Sequence, residues 1–290
     1  MFDKVRNNSR ALWCMSDEEF ITYKDNKAKW AYYQEKMPNE IRILTMDVAV
    51  IESKKNDNTA FFIIRLIPDG GGYKKIVAYA ESLHGLNSII QNKRMKQLFY
   101  ELDCDYMVLD TQGVGISIFD NATTETYDEE RGLTYPAWTV INPDDVKMVN
   151  RTISRNAVPL IYSVKTPTAL KSAMFSNMRD IITDRRVDLL VDSQEATEYL
   201  IKNYKLYKIE DDDLRSRLLN PYVQTNRLVE EAINLEQVVT QGYINLKETA
   251  GNRKDRVMSL AYGLWFAKLL EDDMINQNAS NDLFDWMFFG

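Results

Sequence analysis

The sequence predicts an α/β protein on a mixed central sheet: a three-strand antiparallel meander joined to parallel strands, with flanking helices. Three observations predict it. The run Arg42-Ile43-Leu44-Thr45-Met46-Asp47-Val48-Ala49-Val50-Ile51 is largely apolar on both alternating faces, as a central strand should be. Pro68-Asp69-Gly70-Gly71-Gly72 is a strong turn signal between two further strand-like runs. A helical segment from about Leu86 to Leu102 then leads to Tyr106-Met107-Val108-Leu109-Asp110, and a strand after a helical crossover normally runs parallel to the one it joins.

Taken in order, residues 1–38 are polar with aromatic punctuation, and Ser16 with Glu19 makes a capping box. They read as short helices ending at Pro38 outside the main sheet, a linker or N-terminal arm. The strand over 42–51 comes next. The meander continues through Thr59–Ile67 and Tyr73–Glu81. On the helix that follows, Leu86, Ile89, Ile90, Leu98 and Leu102 read as the apolar face, and Lys93, Arg94 and Lys96 as the basic one. Gly113 and Gly115 permit a tight turn after Asp110. Residues Asp120–Pro136 read as an exposed loop, Leu160–Val164 as a strand, Thr168–Asp184 as a helix and Val187–Val191 as a strand. Ser193 caps a helix from Gln194 to Lys205, and Glu210–Asp213 is an acidic solvated run. Leu228–Leu235 reads as a short helix and Glu236–Lys247 as a late strand pair. Asn252 is a good N-cap for the last long helix, whose Val257, Leu260, Ala261, Leu264 and Trp265 keep helical spacing. The expected organisation is therefore an arm over 1–38, one domain over 39–270 and an acidic, then aromatic tail over 271–290.

Composition bounds the function. The 290 residues are 45% hydrophobic and 11% aromatic, enough for a sizeable core, and the net charge of −7 argues against a protein coated in basic charge. A local basic groove stays possible. Cys14 and Cys104 lack metal-type spacing and read as reduced thiols. No signal peptide and no membrane-length apolar run is seen. The single histidine, His84, excludes a histidine-pair mechanism or a three-histidine zinc site. No Gly-x-x-x-x-Gly-Lys-Ser/Thr occurs, so the chain carries no P-loop ATPase of its own.

Three acids stand out. Asp47 falls inside an apolar strand, where an uncompensated carboxylate is costly. A metal would compensate it, and so would a neighbouring backbone. Asp110 ends a strand expected beside the first, and reads either as a second carboxylate or as a turn former. Asp255 opens the last helix, and reads either as a ligand projecting to the sheet or as a capping acid that suits a helix N-terminus. Asp57, in the turn after the first strand, is a possible auxiliary.

Met46-Asp47-Val48-Ala49, Val108-Leu109-Asp110-Thr111-Gln112-Gly113-Val114-Gly115 and Arg253-Lys254-Asp255-Arg256-Val257-Met258-Ser259-Leu260-Ala261-Tyr262, in that order, resemble the ribonuclease H-like nuclease half of tailed-bacteriophage terminase large subunits. The stretch from Thr225 to Glu236 resembles that family too. The resemblance covers about residues 39–270 and lacks the family's ATPase half, which implies a nuclease domain or a separately encoded half. It implies two divalent ions, Mg²⁺ or Mn²⁺, held by Asp47, Asp110 and Asp255, with Asp47 bridging. It further implies double-stranded DNA as substrate, and the terminase ATPase domain, small terminase subunit and portal protein as partners in the bacterial host cytoplasm.

Candidate DNA contacts are Lys93, Arg94, Lys96, Lys165, Lys171, Arg179, Arg253, Lys254 and Arg256. The cluster Arg253, Lys254 and Arg256 around Asp255 is the one singled out. Two other readings stay open: a different ribonuclease H-like hydrolase of resolvase or transposase type, and a non-catalytic subunit that docks a motor on a portal.

Overall fold

The computed structural model describes residues 2–11, 36–48, 58–142, 144–248 and 253–289. An eight-stranded sheet runs through them, built from β1 (Ser9–Ala11), β2 (Ile41–Asp47), β3 (Asn58–Asp69), β4 (Gly72–His84), β5 (Tyr106–Asp110), β8 (Trp138–Val140), β9 (Val158–Val164) and β10 (Val187–Leu190). The remaining strands form two small hairpins, β6 (Thr126–Asp128) with β7 (Leu133–Tyr135), and β11 (Glu236–Thr240) with β12 (Tyr243–Lys247). The helices are α1 (Ser88–Glu101), α2 (Gly115–Ala122), α3 (Val146–Arg151), α4 (Thr168–Thr183), α5 (Ser193–Tyr204), α6 (Asp212–Asn234) and α7 (Asp255–Phe289).

The order across the sheet is β1-β10-β4-β3-β2-β5-β9-β8. The meander β2-β3-β4 is antiparallel, with Leu44 opposite Ile63 and Phe62 opposite Ala80. Beyond β2 the strands β5, β9 and β8 all run parallel to it. This is the mixed sheet that the sequence predicts. Alternation of side chains builds a core on each face. Leu44, Met46 and Phe61 pack with Met95 and Phe99 of α1 and with Ile118 and Phe119 of α2. Ile43, Phe62 and Ile64 pack with Met174 and Phe175 of α4 and with Leu260 and Leu264 of α7. Each such side chain, taken fully out of water, contributes about 1.5–3 kcal/mol.

Several elements depart from expectation. Asp47 is the last residue of β2 rather than its midpoint; positions 49–51 lie outside the described residues. The arm is not wholly outside the sheet, because β1 pairs parallel with β10. Ser16, Glu19 and Cys14 lie outside the described residues.

The face expected to be apolar on α1 divides: Leu98 and Leu102 are buried as expected, but its first turn is not. Ile89 and Ile90 are exposed while Lys96 is completely buried. Burial of Lys96 is tolerated because its ammonium is satisfied. Lys96 Nζ donates to the carbonyls of Thr124 and Pro136, both at 2.8 Å. Arg94 forks onto Glu81, and Gln91 accepts from Thr59.

The stretch expected as an exposed loop holds the end of α2 and the β6–β7 hairpin. Its Asp128 is fully buried under Gln97, Tyr135 and Arg131. Asp211, from the acidic run, caps α6. The short helix expected at Leu228 is the end of that 23-residue helix, which continues through Pro221. Asp192, not Ser193, caps α5. Helix α7 carries on through the span expected as a tail, and Glu271 Oε1 accepts from Lys75 Nζ at 2.6 Å and Tyr73 N at 2.9 Å. The side chains of Leu283–Phe289 lie outside the described residues. Cys104 is a buried free thiol. No described helix is long and apolar enough to cross a membrane.

Candidate active site

Parallel strands β2, β5 and β9 end at one edge of the sheet, where ligands of α/β sheets characteristically bind. Met46 pairs with Leu109 in register, so Asp47 and Asp110 follow one another out of adjacent strand ends. Neighbouring strands lie about 4.8 Å apart. The β5–α2 turn then folds back so tightly that a Cβ on Gly115 would collide with the Asp110 backbone oxygen. Only glycine fits there.

Asp255 arrives from the opposite direction, as the first residue of α7. Its Oδ2 accepts from the backbone N–H of Asn58 at 3.0 Å, at the start of β3. The cap expected at Asn252 lies outside the described residues, as does Asp57. What seats α7 is a row of small and polar residues. Ser259 and Thr45 share a 2.8 Å hydroxyl contact, and Gly263 lets the helix approach Thr45 and Ile64 closely.

The three acids differ in their surroundings. Asp110 is held twice: Oδ1 accepts from Gln112 N at 2.9 Å and Oδ2 from Tyr262 Oη at 3.0 Å. No described residue donates a hydrogen bond to Asp47. Burial, then the charges of Asp255 and Asp110, hold the Asp47 pKa well above the usual carboxylate range. Burial also raises Asp110, against the opposing pull of Gln112 and Tyr262.

Two lysines face this acid group. Lys171, in the first turn of α4, and Lys254 both draw the Asp47 pKa back down. The Lys171 pKa is itself lowered, by burial first and then by Lys254.

The cluster flanking Asp255 divides. Lys254 and Arg253 sit 3.6 and 3.9 Å from Glu248 and are partly exposed. Arg256 is a correction. It is buried, its guanidinium ion-paired with Glu231 and donating to Gln224 at 2.9 and 3.1 Å, so it turns into the core rather than toward a ligand. Of the wider basic set, Arg94 and Lys96 are consumed inside the fold, and Lys165 pairs with Asp145 at 2.6 Å.

Sequence reasoning gave Tyr262 no role, and held Lys171 only among many basic residues. The signal for Tyr262 was present: Asp255, Ser259 and Tyr262 follow i, i+4, i+7 spacing and share one helix face.

The donor set suits a hard divalent cation. The candidate ligands are carboxylate oxygens that repel one another, and the central one is left without a hydrogen-bond donor among the described residues. The cage is not closed, however. Among the described residues no three acidic, histidine or cysteine side chains are drawn together as a ready-made ion site. Asp47 and Asp110 stand side by side, and Asp255 approaches from across the edge.

Fold and site together define an α/β protein on a mixed eight-stranded sheet, with acids at the ends of two adjacent parallel strands, β2 and β5. Scans against protein-family profiles and curated protein sequences give no match. Among solved structures, the chain is similar to the cobalt-bound large terminase nuclease from thermophilic phage G20c, at 16% identity and a TM-score of 0.44, covering 80% of this chain and 89% of that one. The magnesium-bound form of that nuclease gives 17% identity and 0.43 over the same shares. The large terminase nuclease domain of Thermus phage P74-26 gives 17% identity and 0.41, covering 79% of this chain and 80% of that one. The fold assignment rests on this chain's own strand order and register.

Proposed function

We propose that the chain is a metal-dependent endonuclease that cuts double-stranded DNA, making the initiation and termination cuts of viral genome packaging. The observation that carries this reading is the in-register pairing that ends in Asp47 and Asp110, with Asp255 aimed at the same sheet edge. Asp47, Asp110 and Asp255 would hold two Mg²⁺ or Mn²⁺ ions, which when bound stabilise negative charge on the scissile phosphate and activate a water.

The chain's own groups do the rest. Asp47 and Asp110 orient the centre from the rigid strand ends. Asp255 closes it from α7. Lys171, Lys254 and Arg253 bring positive charge to a phosphate backbone at the rim. In the packaging setting the partners are the terminase ATPase domain, small terminase subunit and portal protein, in the bacterial host cytoplasm. The acidic remainder of the chain keeps its own DNA affinity weak and salt-sensitive.

Plasmid cleavage by the purified chain with Mn²⁺, with Mg²⁺ and with EDTA, beside Asp255→Ala, tests this reading. It predicts metal-dependent cutting that is lost in the variant. Cutting in EDTA, or no cutting with either metal even when an ATPase half is supplied, contradicts it.

A further inference from the structure

We infer that Tyr262 is a positioning residue, whose hydroxyl fixes the Asp110 carboxylate in the rotamer that a divalent cation needs. The inference rests on the metal-nuclease reading above.

Tyr262 is 2% exposed, yet its hydroxyl emerges from the α7 core packing to reach Asp110 Oδ2 at 3.0 Å. The other oxygen of Asp110 accepts from Gln112 N at 2.9 Å. Both carboxylate oxygens are therefore oriented before any cation arrives. A carboxylate has about four lone-pair sites, so each oxygen keeps one free for a metal. Asp47 has no comparable described donor. Mg²⁺ demands nearly ideal octahedral geometry and Ca²⁺ tolerates many, so a fixed carboxylate favours the smaller ion. Groups that hydrogen-bond metal ligands commonly change metal affinity by about 10–100-fold when removed.

Tyr262→Phe keeps the ring and removes only the hydroxyl. Mn²⁺, Mg²⁺ and Ca²⁺ binding is measured by calorimetry and Mn²⁺ resonance, with the metal-free melting temperature recorded for each protein. Ser259→Ala serves as comparator, because it loosens the same helix without touching Asp110. The expected result is Mn²⁺ and Mg²⁺ affinity lower by about 10–100-fold in Tyr262→Phe, a smaller loss for Ca²⁺, and in Ser259→Ala a slight loss only, the same for all three ions. On an Asp110→Asn background, Tyr262→Phe should cost nothing more, since it acts through Asp110.

Equal losses in Tyr262→Phe and Ser259→Ala would reduce the effect to helix seating and overturn the inference. So would wild-type affinity in Tyr262→Phe. A wild-type chain that binds no Mn²⁺ would remove the metal reading itself, and the inference with it.

Discussion

Thr45 and Ser259 meet through a buried hydroxyl–hydroxyl hydrogen bond of 2.8 Å, joining β2 to α7 close to where each presents its acid. Thr45 precedes Asp47 on the same face of the strand, and Ser259 follows Asp255 by one helical turn. The relative position of the two acids is thus set by a contact inside the core. Gly263, a turn further on, allows it. A Cβ there would stand 2.5 Å from both Thr45 Cγ2 and Ile64 Cδ1. Gly263→Ala should therefore cost about 1–3 kcal/mol through overpacking. It should also weaken Mn²⁺ binding by displacing Asp255. Thermal melts with and without Mn²⁺ measure both effects.

Arg256 and Arg253 should separate cleanly. Arg256→Ala leaves Glu231 buried without its partner, a change that commonly costs about 3–5 kcal/mol, with a melting temperature lower by roughly 10 °C. Arg253→Ala should change stability by no more than about 0.5 kcal/mol while lowering DNA affinity and its salt dependence. Melts and salt-dependent DNA titrations distinguish the two. A DNA defect in Arg256→Ala with unchanged melting would contradict the buried role.

Much of the fold was legible because local pattern and tertiary placement agree. β5 is found at its expected residues, and the Pro68–Gly72 turn joins β3 to β4. The failures share a cause: long-range partners satisfy groups that local reading assigns to solvent. Lys96 looks like a surface lysine until the carbonyls of Thr124 and Pro136 come round it. Asp128 looks like a loop acid until Gln97 and Tyr135 cover it. Pro221 argues for a break in α6 that packing overrides. At the site, Asp47 stands out as an acid inside an apolar run and Asp110 as one that ends such a run. Tyr262 and Lys171 do not, because only the docking of α7 and α4 brings them there.

Lys171 predicts opposite effects on two readouts. It places a positive charge near the acids. Lys171→Ala should tighten Mn²⁺ binding roughly two- to tenfold, the scale of about 1 kcal/mol of screened Coulomb interaction. The same change should slow DNA cleavage, since it removes a cation from the rim. Calorimetry and single-turnover cleavage test the two signs independently. Weaker Mn²⁺ binding would contradict the assignment.

The raised pKa of Asp47 carries a stability consequence with a definite sign. Burial, then Asp255 and Asp110, raise it above its ordinary value of 3.8. The folded state therefore binds this proton more tightly than the unfolded chain does. Asp47 favours folding below pH 3.8 and loses that contribution as pH rises through its folded pKa. In EDTA, Asp47→Asn should melt higher than wild type at pH 8, and the gain should shrink as pH falls toward 4. Added Mn²⁺ should stabilise the wild type and not the variant. Melting curves across pH, with and without metal, check this.

The most direct test of the metal centre is anomalous scattering from crystals soaked in Mn²⁺. The account predicts manganese peaks against the Asp47 and Asp110 carboxylates, with Asp255 completing the ligand set. A wild-type crystal with manganese bound elsewhere, or with none at the ends of β2 and β5, would contradict it.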